Sequence, residues 1–440
     1  MTNETPRWQG RLRVWAERVG LYGPALLLIL VGFAVAYHFV QPAPPRHIVM
    51  AAGSKDGVYY YYARMYRELL AKEGIEVTLL ETAGSVANIG LLEGGKADVA
   101  FVQGGTRSDD GHTSLRSLAS LYFEPIWVFV RKDAPIVRLV DLRGRRVAID
   151  GEGSGTRVLT LQLLADIGLD DTAVRISPLG GADAAKGLRE GRLDAAFFII
   201  PANAPAVQDL FAAADIRLLA IDRAAAYRLQ HPFLSLLTLP EGAINLAADV
   251  PPADTVLLAP AANLVVRGDF HPALAELLLI EARKIHGYPG LFEAAHEFPS
   301  RNHLEYPMAD SAQIFFDSGP SLLSRYLPFW AANLIDRLKI LLLPLIALAY
   351  PFFKLIPPTY DWRMRSRINR WYRQLQSIER SIEAGPTPEQ LRRLFAELEA
   401  LEHKVRHLSM PVAYGNPLYT LRQHIGMLRE ELQSAIGRGG

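Results

Sequence analysis

From residue 47 onward, short apolar runs rich in β-branched side chains alternate with stretches whose apolar residues recur every three or four positions. That is the pattern of strands alternating with helices. Strands are expected at 48–51, 76–81 and Val99–Gln103, separated by helices at Val58–Lys72 and Ser85–Glu93. A long strand is expected over 121–131, with Pro125 inside it suiting a bulge or an edge where the chain passes to a second unit. The pattern then restarts, with strands at 146–150, 174–178 and 195–200 and helices at 156–167 and 182–190. A further apolar strand at 256–266 could return to the first unit. Two successive α/β lobes of similar order describe a clamshell, with lobe 1 at about 47–130 plus 256–320 and lobe 2 at about 131–255. Its ligand is expected in the cleft at the carboxyl ends of the strands.

This segment, 47–320, lies between two apolar runs. Residues 21–40 hold no Asp, Glu, Lys or Arg, and at about 1.5 Å per helical residue such a run matches a hydrocarbon core of roughly 30 Å. The second run, 338–356, is uncharged only from 340 to 353, so spanning requires Lys339 and Lys354 to reach the interfaces. Arg7, Arg11, Arg13 and Arg18 precede the first run, and Arg363, Arg365, Arg367, Arg370 and Arg373 follow the second. The positive-inside rule then places residues 1–20 and the tail, 359–440, in the cytoplasm of a bacterial inner membrane with two spans. The middle domain is periplasmic or extracellular. A cleaved signal peptide is the competing expectation for the first run, because Ala34-Val35-Ala36 has the small-x-small form of a cleavage site.

The tail carries its own pattern. Ile368, Trp371, Leu375, Ile378 and Ile382 form one heptad stripe, and Leu391, Leu394, Leu398, Leu401, Val405 and Leu408 form another. Between them, Gly385 to Gln390 supplies a C-cap glycine, an N-cap threonine, a first-turn proline and a capping-box glutamine. A helical hairpin is expected, with a third stripe through Leu418, Leu421, Ile425, Leu428 and Leu432 packing on it as a small bundle. The bundle is either self-contained or a dock for a cytoplasmic protein or a second copy of the chain.

Composition narrows the functional classes. A formal charge of +1 over 440 residues gives no footprint for nucleic acid. Cysteine is absent, which removes disulfides, thiol nucleophiles, zinc thiolates and lipidated cysteines. The turn Gly151-Glu152-Gly153-Ser154-Gly155 follows a strand, but Thr156 stands where a dinucleotide fingerprint has its third glycine, and no Walker lysine is present. Ser154 is not framed as a nucleophile elbow. His296-Glu297 lacks the second histidine of a metalloprotease, and His403 and His407 have ligand spacing without further ligands. The chain is therefore not expected to be an enzyme or to carry a metal or cofactor.

The remaining chemistry gathers where helices begin: Gly53-Ser54, Gly84-Ser85 and Gly153-Ser154-Gly155-Thr156. Helix amino termini offer free N–H groups and a positive dipole end, so three of them facing one cleft would hold a carboxylate without a dedicated arginine. Plain N-capping by Ser54, Ser85 and Ser154 is the bland alternative. Arg157 could pair with a ligand carboxylate or simply lie on the helix surface.

Gly57-x-Tyr59-Tyr60, Gly84-Ser85-x-x-Asn88 followed by Leu91-Leu92 and Ala97-Asp98, Gly153-Ser154-Gly155-Thr156, Asp194-Ala195-Ala196-Phe197-Phe198 and the segment 232–242 occur in an order and spacing that cover roughly 48–266. In these the chain resembles the TAXI proteins, the solute-binding receptors of TRAP transporters, in a membrane-anchored subgroup. The resemblance implies a type II periplasmic-binding-protein fold that closes on a small organic anion or amino acid, glutamate-like, and hands it to TRAP-type permease subunits on separate chains. It places Tyr59 and Tyr60 on the lobe 1 wall beside Ser85 and Asn88, with Ser154, Gly155 and Thr156 closing from lobe 2. Ser54, at the first helix start, and Gln103 and Phe198, at strand ends, complete the ligand-binding set. The second apolar run and the tail depart from the usual family member. They leave open a different function, a sensor that relays lobe closure across the membrane to the helical tail.

Overall fold

The first three strands form a parallel set because each is a short apolar run that a helix returns to the same edge. They are β1 (His47–Ala51), β2 (Glu76–Leu80) and β3 (Val99–Gln103), connected by α1 (Val58–Lys72) and α2 (Ser85–Glu93). The computed structural model describes residues 42–107, 114–408 and 415–438, with isolated positions between 27 and 37. Two strands from elsewhere complete the first sheet, β4 (Leu115–Phe123) and β12 (Ala261–Arg267), in the order β2-β1-β3-β12-β4. β12 runs antiparallel to both β3 and β4, so β4 points the same way as β3. Every residue of β3 is buried, as expected of a central strand covered on both faces. Between β4 and β12 the chain builds a second sheet from β5 (Ile126–Arg131), β6 (Arg146–Ala148), β7 (Arg175–Ser177), β8 (Ala195–Ile199) and β9 (Ile216–Leu218), in the order β7-β6-β8-β5-β9. β7, β6 and β8 are parallel and β5 is antiparallel to β8, which repeats the arrangement of the first sheet.

The two expected long strands are each broken in two. The run 121–131 divides at Glu124-Pro125 into β4 of the first sheet and β5 of the second. The run 256–266 divides at Pro260 into β11 (Thr255–Ala259), which pairs only with β10 (Ser235–Leu239), and β12. Each break holds a proline, which has no N–H to continue a ladder. The Glu124 N–H donates instead to the Pro260 carbonyl at 2.9 Å, so the two chain crossings lie side by side. This pair of crossings is the hinge between the sheets, within the compact unit Pro42–Asp336.

Helices α3 (Gly155–Ala165), α4 (Gly181–Arg189), α5 (Pro205–Ala212) and α6 (Ala224–Gln230) cover the second sheet, and α7 (Pro272–His286) and α8 (Asp310–Ser318), followed by the short α9 (Leu322–Tyr326), join α1 on the first. His286, the last residue of α7, is buried among the rings of Tyr62, Tyr122 and Tyr66, with centroids 4.5, 5.4 and 5.9 Å away. Burial pushes its imidazole down to about 3. The folded protein therefore keeps the ring neutral, while the unfolded chain takes up a proton below about pH 6.5, so this group destabilises the fold as the pH falls from about 6.5 toward 3. The cost is about 1.4 kcal/mol per pH unit in that window. Urea denaturation at pH 7 and pH 4.5 should show the wild type losing about 2–3 kcal/mol more than His286→Phe. Equal losses would mean that the ring is protonated in place.

The helical unit, which includes Arg337–Gly440, is built from most of α10 (Phe329–Glu383) with α11 (Pro388–Arg406) and α12 (Gly415–Arg438). Ile368, Leu375, Ile378, Leu398, Leu401, Val405, Leu418, Leu421, Ile425, Leu428 and Leu432 form one buried cluster across the three helices, flanked by Trp371, Ile382, Leu391, Leu394 and Leu408. Thr387 and Gln390 form a reciprocal capping box at the start of α11.

The expected membrane spans are not supported. Among the described residues no helix is long and apolar enough to cross a membrane. Most of 21–40 lies outside the described residues, as do several side chains of 340–363. The uncharged run 340–353, closed off by Lys339 and Lys354 within the longer α10, is shorter than the ~20 residues a span needs.

Candidate ligand cleft

Because β1, β3 and β4 run in the same direction, their carboxyl ends and the amino ends of α1 and α2 share one edge of the first sheet. Three polar side chains meet there. The Tyr59 ring stacks on Phe101 with centroids 5.3 Å apart, and its hydroxyl donates to Glu124 Oε2 at 2.9 Å. Ser85 Oγ faces the same hydroxyl and accepts the Gln103 N–H at 2.9 Å. Glu124 is only 2% exposed. Burial raises its carboxyl to about 8, opposed only by the Tyr59 hydrogen bond. Burial likewise lifts the Tyr59 hydroxyl well above its usual range, with the Glu124 charge adding to it. Gln103 Nε2 is buried and has no hydrogen-bond partner among the described residues, an unusual state for an amide donor.

The opposing wall comes from the turn between β6 and α3. Asp150 adopts a left-handed conformation (φ 71°), accepting the Gly151 N–H at 2.8 Å through Oδ1 and the Ser154 hydroxyl at 2.8 Å through Oδ2. Ser154 Oγ in turn caps α3 by accepting the Thr156 N–H at 3.2 Å. The two walls are in direct contact. The Val86 and Ala87 N–H groups donate to the Gly153 carbonyl at 3.1 and 3.3 Å. A Cβ on Gly155 would lie 3.0 Å from Ser85 Oγ and 3.1 Å from Gln103 Cβ, and one on Gly84 would lie 3.1 Å from Ser154 Cα. Glycine at these positions lets the main chains of the lobes approach this closely. The lobes are closed.

This closure revises the role expected of the helix starts. The first N–H groups of α2 are satisfied by the Gly153 carbonyl, so they meet an anion only when that carbonyl withdraws. Ser85 does not cap its helix, since the N-cap position is Gly84 and the Ser85 hydroxyl serves Gln103 instead. Ser54 does not cap α1 either: it is exposed, and the N-cap is Gly57 with no side-chain bond. Asn88 is turned into lobe 1, donating to the Phe101 carbonyl at 2.8 Å and accepting from the Thr82 hydroxyl at 2.6 Å. Tyr60 packs at the margin of the first core. Phe198 lies in the core of the second sheet, 6.1 Å from Phe129 and nearly edge-on. Arg157 makes a long bond of 3.5 Å to the Asp150 carbonyl. Of the expected set, Ser85 and Gln103 thus meet Gly155 across the cleft and Ser154 lies against Gly84, with Tyr59 beside Ser85 and Thr156 behind Ser154. Glu124, Asp150 and the Gly153 carbonyl were not anticipated. Glu124 had one sequence signal, an acid directly before the proline that breaks the strand.

Two five-stranded sheets of repeated order, hinged at two adjacent crossings and closing on polar groups at strand ends, define a two-lobed α/β fold of the periplasmic-binding type. The chain belongs to the NMT1-like family, whose model matches residues 50–272, more than half of its length. It is similar to a solved protein from Bordetella bronchiseptica RB50 at 23% identity, covering 56% of this chain and 72% of that one with a TM-score of 0.40. It is also similar to the periplasmic aliphatic sulphonate binding protein SsuA from Escherichia coli at 14% identity, covering 67% and 84% with a TM-score of 0.37. A third similar structure is the substrate binding protein of an amino acid ABC transporter, at 16% identity, covering 54% and 92% with a TM-score of 0.36.

Proposed function

We infer that the chain is a receptor for a small solute, a carboxylate or amino acid, captured between its lobes. The observation that carries this reading is the direct meeting of Gly153 to Gly155 with Ser85 and Gln103, whose buried amide has no partner among the described residues. A cleft that closes this tightly on unpaired polar groups binds by exchanging its own contacts for those of a ligand. In the finer form of the reading, the domain lies outside the membrane and feeds a TRAP-type permease. The support for that is the motif resemblance at Gly57 to Tyr60, Gly84 to Asn88 and Gly153 to Thr156. The sensor reading is favoured by one observation, a helical unit with its own buried core, more than a tether needs.

The test is thermal unfolding of the full chain against amino acids, dicarboxylates and oxo acids. A ligand at 100 times its Kd should stabilise the protein by about 2.7 kcal/mol. That gain should disappear in Ser85→Ala plus Ser154→Ala. No shift with any compound would remove the receptor reading.

A further inference from the structure

We propose that Glu124 and Tyr59 form a subsite for a protonated amine, so that the ligand is an amino acid or a similar zwitterion rather than an amine-free di- or oxo acid. The inference rests on the cleft being the solute site and sharpens what that site accepts.

Glu124 sits at the hinge, where its N–H ties the two chain crossings together and its side chain points to the cleft edge of the first sheet beside Tyr59. One carboxyl oxygen accepts the Tyr59 hydroxyl, and among the described residues the other accepts nothing and no Lys, Arg or His pairs with the group. The titratable side chains that face it are Tyr59 and Tyr62 from α1 and Tyr122 from β4. Close by, Glu293 accepts the Phe123 and Phe292 N–H groups, and Glu305 accepts those of Gly105 and Arg107. Burial raises both of these carboxyls as well. Every one of these groups is neutral or anionic. Such surroundings keep the buried acid neutral and favour its ionisation only when a cation arrives.

The complementary half of a zwitterion has its own donors. Gln103 Nε2 is buried and unpaired among the described residues, and the Val86 and Ala87 N–H groups become free when Gly153 withdraws. An ammonium at Glu124 and a carboxylate at Gln103 and the start of α2 would satisfy both ends of one small molecule. An amine-free acid would bring no cation to Glu124, which would stay protonated beside Tyr59.

Proton uptake and release tests the arrangement. Free Glu124 is largely protonated at pH 7, and pairing with an ammonium ionises it, so binding should release close to one proton. Calorimetry of the full chain at pH 7, in buffers of different ionisation enthalpy, would compare glutamate, glutamine, alanine and leucine with glutarate, 2-oxoglutarate, pyruvate and 4-methylpentanoate. The expected result is an amino acid that binds at least ~100-fold tighter than its amine-free partner, with proton release. Glu124→Gln should abolish the release and most of the discrimination, whereas Tyr59→Phe, which keeps the carboxyl, should retain the release. An amine-free acid binding as tightly as its amino acid would overturn the subsite and leave the receptor reading standing. So would tight amino-acid binding without proton release, unchanged in Glu124→Gln. Failure of every compound in both groups would overturn the two together.

Discussion

Gly105→Ala is expected to weaken ligand binding by about 5- to 150-fold while both sheets stay folded. Gly105 follows β3 in a turn with φ +86°, and a Cβ there would lie 2.5 Å from Phe233 Cζ and closer still to Cε2. Phe233 packs against the core of the second sheet, so the added methyl group meets a ring carried by the opposite lobe. An overpacked contact of this kind costs about 1–3 kcal/mol. Because the cost falls mainly on the closed state, it appears as lost affinity at tenfold per 1.4 kcal/mol. The left-handed backbone adds about 1–2 kcal/mol for any residue with a side chain. That penalty falls on open and closed forms alike and should show as a lower melting temperature, not as lost closure. Phe233→Ala in the Gly105→Ala background removes the ring and should restore most of the affinity. Small-angle scattering of the ligand-free variants would show whether the radius of gyration grows with Gly105→Ala and returns with the double change. Wild-type affinity and radius in the single variant would show that closure does not need this contact.

The parts of the fold readable in the sequence are those where local pattern and tertiary environment agree. β1, α1, β2, α2 and β3 fall where the alternation of apolar runs places them, since each strand is bounded by glycine or polar residues and each helix carries one apolar face. The stripes through Ile368, Leu398 and Leu421 meet in one core because a heptad repeat states its own burial. Where agreement fails, the sequence misleads. The runs 121–131 and 256–266 are continuous in hydropathy, and only the prolines at 125 and 260 mark that each serves two sheets. Phe198 stands at the end of a strand buried on both faces, where an apolar run does not reveal which face turns to the cleft. The closing contact of the cleft is the Gly153 carbonyl, and a main-chain oxygen has no letter in a sequence. Glu124 reads as an ordinary surface acid until the fold buries it at the hinge.

The largest loss of stability is expected from Trp127→Ala. Trp127 is fully buried in β5, immediately after the Glu124-Pro125 crossing, with the Phe211 ring edge-on at 5.6 Å and 88°. Its Nε1–H donates to the Ile200 carbonyl at 2.8 Å, tying β5 to the chain just beyond β8. Truncating a buried tryptophan costs about 3–5 kcal/mol, a large share of the 5–15 kcal/mol that holds a typical domain. Urea denaturation should show the unfolding free energy falling by that amount, and ligand binding should weaken with it, since the strand that loosens begins at the hinge. Trp127→Phe separates the two contributions. It keeps most of the packing but leaves the Ile200 carbonyl without its donor, for about 1–3 kcal/mol. A Phe variant as unstable as the Ala variant would mean that the hydrogen bond, not the ring volume, anchors β5. Loss of less than about 1 kcal/mol in Trp127→Ala would mean that the second sheet relaxes around the cavity, at odds with a tightly packed core.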